Sequence, residues 1–319
     1  MSDIKSHQMK AGGLDVSVIN FGASLQDLRL ASQNMPLVLG YQEADDYKKN
    51  TSHLGATAGI YANRIANGYF EIDGKGYHLN KNENNTHTLH GGDEGCGTQL
   101  WEFVSWGNDH ASLRWRQSDG HMGFPGDAEV LCHYRLDENQ TLRISYEAVC
   151  DKDSFINIAH HSYFRLDDTA DISQHQLQIN ADYYLPADNE NIPTGEMRQV
   201  IDTRFDFRDL RAVGTQEIDH NYCLTRDGNM REVARLFSPS SGIEMIMSSD
   251  QVGLQCYTAD HLSESGQTHH GKSYRARDGI CLEPQYWPNS PNMPQFPSSF
   301  LRAGTRYEQE LQLQFIQHK

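Results

Sequence analysis

The sequence predicts an all-β chain on three observations: a hydrophobic period of two, turn dipeptides between the alternating runs, and scarce helical periodicity. Leu14, Val16 and Val18 alternate with Asp15 and Ser17, and Leu142, Ile144 and Tyr146 alternate with Arg143 and Ser145. Leu177, Ile179 and Ala181 repeat the pattern, as do Leu311, Leu313 and Phe315 around Gln312 and Gln314. Side chains alternate between the faces of a strand, so each run reads as a strand with one packed and one wetter face. Asp73-Gly74, Asp119-Gly120, Pro125-Gly126 and Asp227-Gly228 supply turns. The first joins YFEI to YHL as a hairpin, read with a four-residue loop DGKG. Short helical turns are expected around Glu43 to Lys48 and after Phe207. No linker, low-complexity block or repeat divides residues 1–319, so one domain of many strands is expected. Two sheets packed face to face satisfy the alternation, and a closed barrel fits the same pattern.

Composition narrows the function. A formal net charge of −16 repels phosphate backbones and anionic lipid, so neither nucleic acid nor a membrane surface is an expected partner. No apolar run approaches the length of a membrane helix, and the first residues carry no secretory pattern. The expectation is a cytoplasmic chain. The six cysteines are scattered without a CxxC pair, which favours reduced core residues over a disulfide frame or zinc ribbon. The sequons at Asn50, Asn84 and Asn139 are then accidental.

Polar, aromatic and glycine-rich clusters stand where strands should end. In Gly59-Ile60-Tyr61-Ala62-Asn63-Arg64-Ile65-Ala66-Asn67-Gly68, two amides and a guanidinium can fork hydrogen bonds onto vicinal hydroxyls, or serve a structural turn with a salt bridge. Thr88-Leu89-His90-Gly91-Gly92 pairs a histidine with glycines that let a backbone approach a ligand closely. His87 and His90 make an HxxH spacing, but two glycines oppose a helix there and no further ligands complete a set, so no metal is expected. In Ala159-His160-His161-Ser162-Tyr163, strand geometry sends the adjacent histidines to opposite faces, so at most one faces a given cleft. A histidine there can protonate an ether oxygen, or simply pack. Asp219-His220-Asn221 and Gln255 add polar groups. Glu283 ends the apolar run ICL beside Tyr286 and Trp287, surroundings that favour a raised pKa and aromatic faces suited to a sugar.

Taken in order, these clusters resemble the aldose 1-epimerase (galactose mutarotase) family. The resemblance runs from NFGASLQDLRL at residues 20–30 to FPSSFLRAGTRYEQ at residues 296–309. It is carried most specifically by YANRIANGYFEIDGKGYHL, TLHGG, DGHMGFPGD, HSYF, INADYYLPADNENIPTGE, FDFRD, IDHNY and EPQYWPNSPN. It implies a single large antiparallel β-sandwich, the mutarotase-like supersandwich with few short helices, and interconversion of the α and β anomers of a free aldohexose of galactose or glucose type. No cofactor and no metal are implied, and a monomer or homodimer is expected. By the same resemblance His161 is the general acid on the ring oxygen and Glu283 the general base on the C1 hydroxyl. His90 would hold the sugar near the ring oxygen, with Asn63, Arg64, Tyr163, Asp219 and Gln255 gripping the other hydroxyls. His160 stands where the family often has asparagine, Arg165 where it often continues with asparagine, Pro284 where threonine is common, and YTAD replaces YTGN. Two other classes compete: a non-catalytic sugar-binding protein on the same fold, and a hydrolase using Asp219 and Glu283 as paired carboxylates about 5–9.5 Å apart.

Overall fold

In strand Ile280–Gln285 every residue is buried, yet the strand serves two environments. Its even neighbours Ile280 and Leu282 join the main apolar core, whereas Cys281 and Glu283 face the other way. The computed structural model describes residues 3–49, 51–225 and 228–318. The sequon residue Asn50 and the Asp227 half of the Asp227-Gly228 turn lie outside the described residues.

Two antiparallel sheets dominate. The nine-stranded sheet has Arg306–Gln317 at its middle, next to it Thr141–Cys150 and then Ala128–Asp137. The register sets Leu142 opposite Leu313 and Ile144 opposite Leu311, so the alternating apolar residues share one face. Arg143 points outward to Asp137 and Glu310. The six-stranded sheet runs Tyr163–Phe164, Ile280–Gln285, Gly253–Tyr257, Asp219–Cys223, Tyr183–Tyr184 and Arg198–Gln199. Phe164, Leu254, Cys256, Leu282 and Tyr222 from this sheet meet Ile144, Leu311 and Leu313 from the other in one cluster. Gln309 on the larger sheet donates to the Pro284 carbonyl across the gap at 2.9 Å. The sandwich form of the two open alternatives is therefore the one adopted.

Helix is confined, among the described residues, to short 3₁₀ segments, the longest being Ala44–Lys49. The helical turn expected after Phe207 does not form. Asp206 there accepts from the Arg208 amide and guanidinium, holding a local side-chain turn that competes with a helix. The first hairpin is also tighter than expected. Ile72 pairs with Lys75, so only Asp73 and Gly74, both at positive φ, make the turn. All six cysteines are free, and only Cys223 is not fully buried.

Asn157, fully buried between segments, ties the site's walls together. Its amide donates to the Ala62 carbonyl at 3.0 Å, and its side-chain oxygen accepts from the Tyr286 amide at 2.8 Å. Cutting Leu282 to alanine removes a fully buried side chain one residue from Glu283. Leu282→Ala is expected to cost about 2–5 kcal/mol in urea denaturation.

Candidate active site

Cross-strand partners in a sheet share a face, and that rule assembles the site. Gln255 pairs with Glu283, Tyr257 with Cys281, Asp219 with Tyr257, and Tyr163 with Cys281. These residues stand on the face opposite the core. His220 falls on the other face, against Phe205 and Tyr184. A cavity of about 310 Å³ opens over the polar face, lined by Asn63, Arg64, His90, His161, Tyr163, Asp219, Gln255 and Glu283 among others. All eight residues singled out in the sequence thus come together.

The histidine pair separates as strand geometry demands. His160 and His161 pair with Thr57 and Ala56 on the neighbouring strand. His160 turns toward the inter-sheet core, sharing a 2.7 Å hydrogen bond with Ser162 Oγ and lying 6.2 Å from the Tyr134 ring. His161 turns into the cavity. Its Nε2 is 3.8 Å from Glu283 Oε2, and its Nδ1 is 3.7 Å from Cys281 Sγ. That sulfur contact works in both directions, the thiol donating to a neutral ring or the sulfur accepting from a protonated one. The Tyr163 ring lies 5.2 Å from the imidazole and its hydroxyl donates to the Ser52 carbonyl at 3.0 Å. Tyr163 therefore braces His161, with its hydroxyl already committed.

Glu283 is 2% exposed, and its Oε2 has no hydrogen-bond partner among the described residues. Burial, then the nearby Asp219 carboxylate, pushes its pKa well above the ordinary carboxylate value, against the pull of Arg64. Burial also pushes His161 down to about 3. Each group favours its uncharged form, so over the interval between their values the two hold one proton between them.

The remaining groups form a hydrogen-bonded rim. Arg64 donates from Nε and Nη2 to Glu83 at 2.8 and 2.7 Å, and its Nη1 lies 3.9 Å from Asp219. Gln255 donates to Asp219 at 2.5 Å, leaving its own Oε1 without a partner among the described residues. The Asn63 amide donates to His90 Nδ1 at 3.1 Å. With Nδ1 accepting, the ring proton of His90 sits on Nε2. Burial and the neighbouring His53, His161 and Arg64 hold its pKa well below 6.5.

His87 Nδ1 accepts from the Asn67 amide just as His90 Nδ1 accepts from the Asn63 amide. Two sequence expectations change. The close approach that requires Gly91 is to backbone: a Cβ there would lie 2.2 Å from the Gly59 carbonyl oxygen. Trp287 packs on Phe296 and Leu185, and Tyr286 sits near Tyr307, so neither aromatic lines the cavity. Sequence reasoning missed His53, Glu83, Tyr257, Asn191 and His261. Glu83 sits in the polar run KNENN, where no pattern marks it as the partner of Arg64. His161, Cys281 and Glu283 also bring potential metal-ligand atoms within 4.8 Å of one another. The two nitrogens of His161 face Cys281 and Glu283 separately, so one ion would engage this set poorly.

The sequence matches the aldose 1-epimerase family model from residue 5 to residue 314. The chain belongs to the aldose 1-epimerase family. The Haemophilus influenzae aldose 1-epimerase is 33% identical over 319 residues, covering 95% of this chain and 93% of its own. Human galactose mutarotase is 34% identical over 321 residues, covering 96% and 92%. Among solved structures, the aldose epimerase homologue from C. elegans superposes with a TM-score of 0.92 at 29% identity, covering 99% of this chain and all of that one. Interconversion of sugar anomers, an isomerase reaction, is the activity that belongs to this family. No helix among the described residues is long and apolar enough to cross a membrane. Glu83 holds Arg64 at the wall of the cavity. Glu83→Ala is expected to lower kcat/KM for anomerisation about tenfold, with the far-ultraviolet circular dichroism unchanged.

Proposed function

We propose that the protein interconverts the α and β anomers of a free aldohexose of the galactose or glucose type, with His161 and Glu283 exchanging protons with the sugar. The observation that carries this reading is the buried Glu283 oxygen without a partner, 3.8 Å from the His161 ring in a hydroxyl-binding cavity. Such an atom calls for a donor from outside the chain, and a sugar hydroxyl is one.

Opening a hemiacetal removes a proton from the C1 hydroxyl and adds one to the ring oxygen. The pair's one proton rests on Glu283 and passes to His161 for opening, after which Glu283 takes the first and His161 gives the second. The open-chain aldehyde turns about its C1–C2 bond and closes on the other face, with both transfers reversed. A pair that holds one proton suits this exchange, because acid and base trade forms within a turnover. His90 directs its Nε2 donor at the ring-oxygen side, while Arg64, Asp219, Gln255 and Asn63 keep the open sugar from escaping. Among the described residues Arg64 is the only lysine or arginine lining the cavity, and Glu83 and Asp219 already neutralise it. That balance favours an uncharged substrate over a phosphorylated one.

Polarimetry on freshly dissolved α-D-galactose and α-D-glucose tests the activity. His161→Ala and Glu283→Gln are each expected to lower kcat by about 10²–10⁴-fold. Equilibration by the wild type no faster than buffer would overturn the reading, and sugar binding without turnover would identify a binding protein instead.

The cost of burying Glu283 gives a second test. Its carboxyl is raised above 4.5 in the folded chain, so the contribution is most favourable below the unfolded value and is lost as pH rises through the folded one. Glu283→Gln has no such loss. Its stability relative to wild type in urea denaturation is expected to improve as pH rises above 4.5, the ordinary carboxyl value.

A further inference from the structure

The cavity holds a third imidazole that the proton-transfer chemistry does not use. His53 lines it beside Thr51 and Ser52, its ring 4.9 Å from that of His90 and 5.9 Å from that of His161. The backbone beneath it is fixed. Glu264 Oε1 accepts from the Thr51 amide, the Thr51 hydroxyl and the Ser52 amide at 2.8–3.0 Å, while Oε2 accepts from Tyr41. The His53 carbonyl accepts from the Ala56 amide, and the residue itself sits at φ 54°. Its side chain differs from its neighbours in one respect. His90 is bonded to Asn63, Arg64 to Glu83 and Gln255 to Asp219, yet neither ring nitrogen of His53 has a hydrogen-bond partner among the described residues.

Burial pushes the His53 pKa down to about 4, so at neutral pH the ring offers one donor and one acceptor. That is the complement of a hydroxyl group, which also donates and accepts. Its place in the cavity says which hydroxyl. His53 flanks His90 and His161, the two imidazoles placed at the ring-oxygen side. With His161 at the ring oxygen and Glu283 at the C1 hydroxyl, the sugar atom beyond the ring oxygen is C5, and its substituent extends past His161.

We propose that His53 is a specificity-determining residue that hydrogen-bonds the hydroxymethyl group on C5, so that the pocket selects aldoses carrying a C6 hydroxyl. The inference rests on the anomerase reading above. Its test compares kcat/KM for D-galactose, 6-deoxy-D-galactose and L-arabinose, which has the same ring configuration without C6, and likewise for D-glucose, 6-deoxy-D-glucose and D-xylose. The wild type is expected to favour the C6-hydroxyl sugars about tenfold. His53→Phe abolishes that preference while leaving the deoxy and pentose values within about twofold, and His53→Gln retains part of it. A wild type indifferent to the C6 hydroxyl overturns the proposal without any variant, and so does a His53→Phe loss equal for every sugar, which marks a structural role. A wild type that accelerates no aldose overturns the anomerase reading itself, a result distinct from either.

Discussion

An ionisable carboxyl held 2% exposed, with one oxygen unpartnered, costs free energy that a stably folded chain must recover elsewhere, and the surrounding architecture is arranged to hold it. Glu283 sits on an interior strand of the six-stranded sheet, flanked by Tyr163–Phe164 and Gly253–Tyr257. Pairing of Glu283 with Gln255 on one side, and of Cys281 with Tyr163 on the other, holds the strand against twisting to release the side chain. Leu282 and Pro284 anchor it from the core side, the latter through the carbonyl that Gln309 binds. The site is thus a polar face of a sheet whose other face is the protein's core.

This arrangement explains how two hundred intervening positions can separate residues that act together. Arg64, His90, His161, Asp219, Gln255 and Glu283 come from six segments, yet one sheet face and its facing loops place them around one cavity. The loops are fixed by side chains reaching across the chain, as Asn157 does for Ala62 and Tyr286, and Glu264 for Thr51 and Ser52. Precision at the cavity therefore derives from buried polar bonds between segments.

Strand alternation was the most legible feature of the sequence. It foretold the runs around Leu142 and Leu311 and the opposed faces of His160 and His161, because a period of two depends only on local backbone geometry. The choice of site residues came from ordered resemblance, and one sheet face with its facing segments brings all eight to one cavity. What stayed hidden was non-local. His53 precedes a short strand in a loop with no periodicity, and Glu83 finds Arg64 only after folding. The paired glycines were read as facing a ligand, whereas Gly91 makes room for the Gly59 backbone, a distinction that depends on which segment packs there. Asp206 overrode the helical pattern after Phe207 with a bond of its own.

The strap that Glu264 throws around residues 51 and 52 bears on the tempo of the enzyme. Many enzymes must close a loop over substrate, and their turnover then waits on that motion. Here the wall beside His53 is already fastened at Thr51, Ser52 and, through Tyr163, at the Ser52 carbonyl. A sugar entering such a cavity meets a wall with little freedom left to surrender, so the order it gains is not offset by ordering the protein around it. A wall fastened in advance spares the turnover one ordering step, which suits a catalyst for a reaction that also proceeds, slowly, in plain water.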